Sequence, residues 1–197
     1  MATVIADMSM SLDGFIAHPD DTVDGLFDWY DNGPVEIKSA DPRLTFHVSQ
    51  ASAPVLKEAF DQGGALVTGR HLFDVTHGWG GNHPVGCPVF VVSHSVPDGW
   101  PRPDAPFTFV SDVAEAISMA KEVAGDKWVS VASTTTTRQA LDLGLVDEIH
   151  VNLVPILLGE GIRWFDGLAN HPVRLVGPDR VVEGDRVTHL RYQVVRD

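Results

Sequence analysis

The sequence has a single cysteine, Cys87, so no disulfide bond can form within the chain. This scarcity agrees with a reducing compartment, and we expect a cytoplasmic protein. No run of about 18 apolar residues is present, so no membrane helix is predicted. The N-terminus also lacks a basic segment followed by an apolar one, the pattern typical of a secretory signal.

Basic residues are also few. The chain has 14 Lys and Arg against 27 Asp and Glu, a net charge of −13 that repels polyphosphate backbones and disfavours a nucleic-acid partner. An anionic cofactor remains compatible if positive groups are gathered locally. With 44% hydrophobic residues, the chain can bury one sizeable core, so residues 1–197 are expected to form a single domain.

Apolar runs of strand length alternate with segments of helical period, a pattern that predicts an α/β domain. Strands are predicted at residues 3–9, 65–68, 89–93, 127–132, 148–155, 173–177 and 187–195, and helices at 49–62, 112–124 and 135–144. Residues 96–106 contain four prolines and are predicted to form a loop.

Three motifs are more specific than this pattern. They are Ser-Leu-Asp-Gly-Phe-Ile-Ala at 11–17, Ala-Leu-Val-Thr-Gly-Arg-His at 65–71, and Gly-Leu-Val-Asp-Glu-Ile-His at 144–150 followed by Pro-Ile-Leu-Leu-Gly-Glu-Gly at 155–161. In this order they resemble the dihydrofolate reductase-like superfamily, and within it the branch related to the RibD C-terminal domain of riboflavin biosynthesis. The likeness covers residues 5–192. It implies a three-layer α/β/α fold with a central mixed, mostly parallel sheet, a C-terminal antiparallel hairpin, and NADPH as cofactor.

The first predicted strand carries a carboxylate among apolar residues. Asp7 and Ser9 point to one face of this strand, and Ala6 and Met8 point to the other. Desolvating such a carboxylate is costly unless it is paired or useful. Asp7 therefore either meets an arginine near the strand end or faces a substrate. The resemblance favours the second interpretation and makes Asp7 the candidate catalytic residue, with Ser9 among the candidate cofactor contacts.

Asp13-Gly14 after this strand is a turn signal. The resemblance implies that the following backbone, at Ile16 and Ala17, passes close to the nicotinamide and pyrophosphate. The next segment is acidic, and its aspartates are Asp20, Asp21, Asp24 and Asp28. Their spacing lacks the ligand order of a calcium loop, so we interpret the segment as a lid and predict no metal.

Gly69-Arg70-His71 ends an apolar strand. A glycine there lets amides of the next helix approach a phosphate, and the planar guanidinium of Arg70 can grip one. A surface arginine without a ligand is the alternative. The resemblance implies that Arg70 meets Ser93 and His94 at the adenosine 2′-phosphate, which favours NADP over NAD.

The segment 132–136 departs from the relatives, which place a Gly-Gly pair where this chain has Ala132-Ser133. Hydroxyls of Ser133, Thr134, Thr135 and Thr136 could bind phosphate at the start of the next helix, or they could simply cap it. Both roles are compatible. A zinc site built from His71, His77, His83 and Cys87 is not predicted, because their spacing fits no common zinc pattern.

The resemblance implies a homodimeric, NADPH-dependent reductase that passes a hydride to a C=N or C=O group of a small planar molecule such as a pterin or pyrimidine. Dihydrofolate itself is disfavoured, because Ser52-Ala53-Pro54 stands where dihydrofolate reductases carry an acidic residue. The alternatives are a binding protein of the same fold without turnover, or an enzyme that uses the cleft without reduction.

Overall fold

The computed structural model describes residues 1–196. Its helices and strands are β1 (Val4–Ser11), β2 (Phe15–Ala17), β3 (Val35–Lys38), β4 (Thr45–Val48), α1 (Ser52–Gln62), β5 (Gly63–Gly69), α2 (Arg70–Val75), β6 (Val89–Val92), β7 (Phe107–Val110), α3 (Val113–Ala124), β8 (Trp128–Val131), α4 (Thr134–Asp142), β9 (Glu148–Val154), β10 (Ile162–Arg163), β11 (Leu175–Gly184) and β12 (Val187–Val194). Two 3-10 helices, Asp28–Tyr30 and His77–Gly81, lie in the loops.

Eight strands form the central sheet in the order β11-β12-β9-β1-β8-β5-β6-β7. The strands from β9 to β7 in this order are parallel, while β12 and β11 add an antiparallel hairpin at one edge. Two small sheets, β10-β2 and β3-β4, lie outside it. The predicted fold class, a mostly parallel sheet with a C-terminal hairpin, is confirmed.

Alternation along β5 shows how helices cover both faces of the sheet. Ala65 and Val67 pack in one cluster with Ile117 of α3 and Ala140 of α4. Leu66 points the other way and packs with Phe73 of α2. Parallel strands covered on both faces are apolar on both sides, which explains why their sequences read as continuous hydrophobic runs.

Helix α3 shows how local sequence sets a boundary. The Asp112 carboxylate accepts a hydrogen bond from the Glu115 amide at 2.9 Å and caps the first turn. Gly125, with φ of +64°, ends the helix in a conformation that favours glycine. At 12 residues this helix is the longest in the described chain, and none of the helices in residues 1–196 is both long and apolar enough to cross a membrane.

Several predicted boundaries were wrong. Strands β2, β3, β4, β7 and β10 were not predicted, because two to four residues are too few to show an alternating pattern. The predicted strand at 173–177 is the start of β11, which begins at Leu175 and runs to Gly184. Helix α1 begins at Ser52, three residues later than predicted, while α4 covers 134–142 and not 135–144.

Candidate functional site

A cleft of about 490 Å³ lies at the carboxyl ends of the parallel strands. Successive neighbours in the sheet contribute Met8 from β1, Ser133 after β8, Gly69 from β5, Ser93 after β6 and Ser111 after β7. Five strands at their usual separation make the cleft about 20 Å long. Loops and helix N-termini meet at this edge of an open α/β sheet, where such folds bind ligands.

One end of the cleft is built around Arg70, the first residue of α2. Its Nε donates to the Asp74 carboxylate at 2.8 and 2.9 Å, which fixes the guanidinium. Its Nη1 reaches the Ser95 carbonyl oxygen at 3.2 Å and the Ser93 hydroxyl at 3.5 Å. His94 lines the same cleft. The structure thus brings Arg70, Ser93 and His94 together across the ends of β5 and β6.

The turn between β8 and α4 forms the middle of the cleft. Ser133 has φ of +78° and ψ of 156°, a region that glycine adopts and other residues enter only under strain. Its hydroxyl accepts from the Gly69 amide at 3.2 Å and donates to the Thr136 hydroxyl at 3.1 Å. Thr134 and Thr135 also line the cleft, beside first-turn amides that have no partner within the helix.

The other end of the cleft is apolar. Met8, Ile16, Ala17 and Ile162 form its wall. Val23 and Phe27 from the loop and Leu72 and Val75 from α2 also line the cleft, and we term these four residues the apolar lip. Val23 and Val75 are 41% and 42% exposed although both are large hydrophobic residues. Exposed apolar side chains inside a cleft commonly contact a ligand.

The acidic segment predicted to be a lid does reach the cleft. The Asp21 carboxylate lies 2.7 Å from Nε2 of His71, the second residue of α2, and both residues line the cleft. Asp20 folds the segment locally, because it accepts hydrogen bonds from the amide and hydroxyl of Thr22. The Asp21–His71 contact brings the loop that carries Val23 against α2, so the two sides of the apolar lip line the same cleft.

Three predicted site residues lie outside the cleft. Ser9 is buried on the other face of β1 and accepts a hydrogen bond from Nε1 of Trp29 at 3.0 Å. Ala132 packs against the apolar cluster on the α2 side of the sheet. Asp7 lines a separate cavity of about 30 Å³ beneath α1. For Asp7 and Ser9 the direction follows from alternation along β1, which turns Met8 toward the cleft and these two residues away from it.

Asp7 is held by a chain of buried hydrogen bonds. The Asn152 side-chain amide donates to the Asp7 carboxylate at 3.0 Å, so the Asn152 carbonyl oxygen faces Nδ1 of His189 at 2.6 Å. Nδ1 must therefore donate, which leaves Nε2 to accept from the Ser52 hydroxyl at 2.9 Å. Burial lowers the pKa of His189 to about 4, in agreement with this neutral tautomer.

Charged groups surround the same cavity. Glu58 of α1 pairs with Arg180 and lies 3.2 Å from Arg191, and His150 on β9 also lines the cavity. Burial raises the pKa of Asp7, and the nearby charges of His150 and Arg191 offset this only in part. Asp7 is therefore a carboxyl that favours its protonated form more than an exposed aspartate does.

The histidines and cysteine considered for zinc are dispersed. Burial raises the pKa of the Cys87 thiol to about 11 and lowers that of His83 to about 4. His71 contacts Asp21, and His77 contacts the Asp74 carbonyl oxygen. Across the described chain, no three His, Cys, Asp or Glu side chains are grouped as a metal site requires.

Comparison with known proteins shows which solved structures share the fold of this chain. The sequence matches no family model and no curated protein. A protein from Shewanella sp. PV-4 named for riboflavin biosynthesis has a TM-score of 0.68 and 24% identity, with all of both chains covered. Dihydrofolate reductase from Enterococcus faecalis, in complex with NADP(H), has a TM-score of 0.56 and 11% identity over 98% of this chain and 97% of its own. The chain has the dihydrofolate reductase-like fold.

A third structure with this fold is longer. The diaminohydroxyphosphoribosylaminopyrimidine deaminase/5-amino-6-(5-phosphoribosylamino)uracil reductase of Thermotoga maritima has a TM-score of 0.62 and 13% identity. The match covers 98% of this chain but 57% of that one. The present chain therefore spans a little more than half of the Thermotoga protein.

Sequence reasoning missed the apolar lip of this dihydrofolate reductase-like cleft. Val23 and Phe27 lie in an irregular loop, where no periodicity marks a buried or ligand-facing side. Leu72 and Val75 share a helix of six residues, less than two full turns. The one feature of the sequence that could have indicated the lip is the short helix that follows Gly69-Arg70, in which Leu72 and Val75 are apolar.

The strained turn at Ser133 gives a first prediction. Ser133→Gly and Ser133→Ala both remove the hydroxyl, but only glycine tolerates the observed φ and ψ. We expect the Gly variant to exceed the Ala variant in free energy of unfolding by about 1–2 kcal/mol. Chemical denaturation of both variants measures this difference. Equal stability would mean that the turn adopts another conformation once the Gly69 and Thr136 contacts are lost.

Asp7 gives a pH-dependent prediction. A carboxyl whose pKa is raised by folding stabilises the protein fully below its ordinary pKa of 3.8, and this contribution is lost as the pH rises through the folded-state value. Asp7→Asn removes the buried charge. The variant should therefore exceed the wild type in free energy of unfolding at neutral pH, with a difference that shrinks in acid.

Asp13 supplies a control for this measurement, because folding shifts its pKa in the opposite direction to that of Asp7. Its pKa is lowered, chiefly by the Ser11 hydroxyl, and its carboxylate also accepts from the Gly159 amide at 2.8 Å. Asp13→Asn should therefore lose stability at neutral pH. A loss of stability in Asp7→Asn as well would show that its hydrogen bond to Asn152 outweighs the desolvation cost.

Proposed function

We propose that the protein is an NADPH-dependent reductase that delivers a hydride to a C=N or C=O group of a small planar molecule. The observation that carries this proposal is the arrangement of Arg70, Ser93 and His94 at one end of a cleft about 20 Å long, with an apolar wall at the other end. The NADP(H) complex of the Enterococcus dihydrofolate reductase, which shares the fold, supports the choice of cofactor.

The residues present fit a dinucleotide. Arg70 offers a charged donor to a 2′-phosphate and His94 lines the cleft beside it, while the Ser93 hydroxyl donates to the Ser95 carbonyl oxygen at 2.6 Å. The Thr135 hydroxyl and the first-turn amides of α4 offer donors to a pyrophosphate, whereas the Thr134 hydroxyl donates to the Arg163 carbonyl oxygen at 3.0 Å. A Cβ atom on Gly69 would lie 3.0 Å from the hydroxyl oxygens of Ser133 and Thr136. A side chain at position 69 would therefore make a tight contact with these two hydroxyls, which would have to move by a few tenths of an ångström.

The bound cofactor would supply the hydride, and the protein would supply position and exclusion of water. Ile16, Ala17, Met8 and Ile162 form an apolar wall that a nicotinamide ring could lie against. The Asp21–His71 contact holds the adjacent loop over α2, so the ring would be covered from the loop side.

Asp7 is our proposed proton-holding group for the reduced heteroatom. Its raised pKa and the hydrogen-bond chain through Asn152 to His189 support this role. Its carboxyl lies on the α1 face of β1, so the acceptor would have to extend past the strand end to that face. A structural role for Asp7 is the competing interpretation.

A binding protein without turnover is the alternative function. The strained Ser133, which occupies a place where relatives carry glycine, favours it because the side chain fills part of the turn. Oxidation of NADPH by any planar carbonyl or imine would exclude this alternative. We also propose a homodimer through the outer edge of β11, where Val176 and Val181 are 60% and 55% exposed.

Arg70→Ala tests the cofactor assignment. Loss of a charged contact to the 2′-phosphate should weaken NADPH binding by about 1–3 kcal/mol and leave NADH binding nearly unchanged. Quenching of tryptophan fluorescence during titration with each nucleotide measures both affinities. Arg43→Ala is the matched control, because Arg43 pairs with Asp41 at 2.7 Å and does not line the cleft. Equal weakening of both nucleotides would remove Arg70 from the 2′-phosphate site.

Asp7→Asn tests the acid assignment. If the carboxyl supplies the proton, turnover should fall by about 10²-fold while NADPH affinity stays nearly unchanged. Steady-state rates across pH and the fluorescence titration provide the two measurements. Full turnover in the Asn variant at every pH would make Asp7 a structural residue.

A further inference from the structure

We propose that the apolar lip, Val23, Phe27, Leu72 and Val75, selects an uncharged or cationic apolar acceptor and rejects anionic or phosphorylated ones. This inference rests on the proposed reductase function and names its substrate class. Hydride transfer requires the acceptor to lie within about 3.5 Å of the reacting ring, so donor and acceptor must share one cleft. The proposed function assigns the apolar wall to the nicotinamide ring, which leaves the lip as the remaining apolar lining for the acceptor.

The lip is suited to an apolar molecule because it exposes hydrophobic surface on both sides. Val23 and Val75 come from the loop and from α2, and each is about two-fifths exposed. Phe27 adds a ring that is partly buried and stacks on Tyr30 at 5.6 Å between centroids. A flat hydrocarbon ring would cover these side chains and gain the free energy of removing them from water.

The charges at the lip disfavour an anion. His71 already contacts the Asp21 carboxylate at 2.7 Å, and Arg70 would be occupied by the 2′-phosphate of the cofactor. The segment that carries Val23 and Phe27 also contains Asp20, Asp24 and Asp28, all exposed. Together with the net charge of −13, these carboxylates raise the concentration of cations near the lip and lower that of anions.

The acceptor proposed for this chain differs from that of the uracil reductase of Thermotoga, whose name specifies a phosphoribosyl group. A phosphate at the lip would meet aspartates and apolar side chains, and desolvation without a partner is costly. In the net reaction the carbon of the C=O or C=N group gains a hydride, its heteroatom gains a proton from water, and NADPH becomes NADP⁺.

The test uses the full chain and matched pairs of acceptors. The first pair is benzaldehyde and formylphenyl phosphate, and the second is dihydroisoquinoline and its carboxylate. We expect kcat/KM with NADPH to favour the uncharged member of each pair by about tenfold or more. Tryptophan fluorescence titration of the NADP⁺ complex gives the same comparison as dissociation constants, independently of turnover. Preference for the anionic members in either measurement would overturn the inference.

Variants of the lip make the test specific. Val75→Lys should shift the preference toward formylphenyl phosphate by about two- to fivefold, the size of a partly exposed ion pair. Val123→Lys on α3 is the matched control, because Val123 is also an exposed helical valine and does not line the cleft. The same shift in both variants would mean that the preference reflects overall charge and not the lip.

Failure of the inference and failure of the proposed function give different results. Absence of NADPH binding in the fluorescence titration would reject the reductase proposal itself. Normal NADPH binding with tighter binding of phosphorylated acceptors would leave the reductase proposal intact and reject the apolar lip as the acceptor subsite.

Discussion

The close approach of two strand ends controls the shape of the cleft. Gly69 ends β5 and donates its amide to the Ser133 hydroxyl, which follows β8. The approach is tight at 69, where a Cβ atom would lie 3.0 Å from two hydroxyl oxygens, and it is accompanied by a strained backbone at 133. Helices α2 and α4 begin at this junction, and their first turns supply Arg70 and the threonines to the same cleft.

Polar groups in this protein are divided between the carboxyl edge of the sheet and the face covered by α1. The cleft side has a few donors among apolar walls, whereas the α1 side buries a connected network of Asp7, Asn152, His189 and Ser52. The network is satisfied along its length, since each member donates to the next in one direction. Asp7 sits at the accepting end, where the aligned donors stabilise its charge and oppose the cost of burial.

The sequence predicted the polar residues at the ends of the parallel strands better than the side chains that line the cleft between loop and helix. Gly69-Arg70 and the serine after β6 were recognisable because a strand end has a short, local signature. Period-two alternation correctly separated Asp7 and Ser9 from Ala6 and Met8. Which of these two sets faces the cleft depends on where α1 and α2 pack, and that information lies in residues distant along the chain. The apolar lip joins a loop to a helix through Asp21 and His71, a contact between residues 50 positions apart.

Cys87 has a practical consequence for measuring motion in this fold. Its thiol is buried and has a pKa of about 11, so very little of it is thiolate near neutrality, and reagents that attack thiolates reach it poorly. A cysteine placed in an exposed loop would then be the only readily labelled thiol of the chain. Spin labels or fluorophores would therefore attach to the introduced cysteine and hardly at all to Cys87. Distance changes between the loop that carries Asp21 and helix α2 can then be followed without first removing a cysteine from the core.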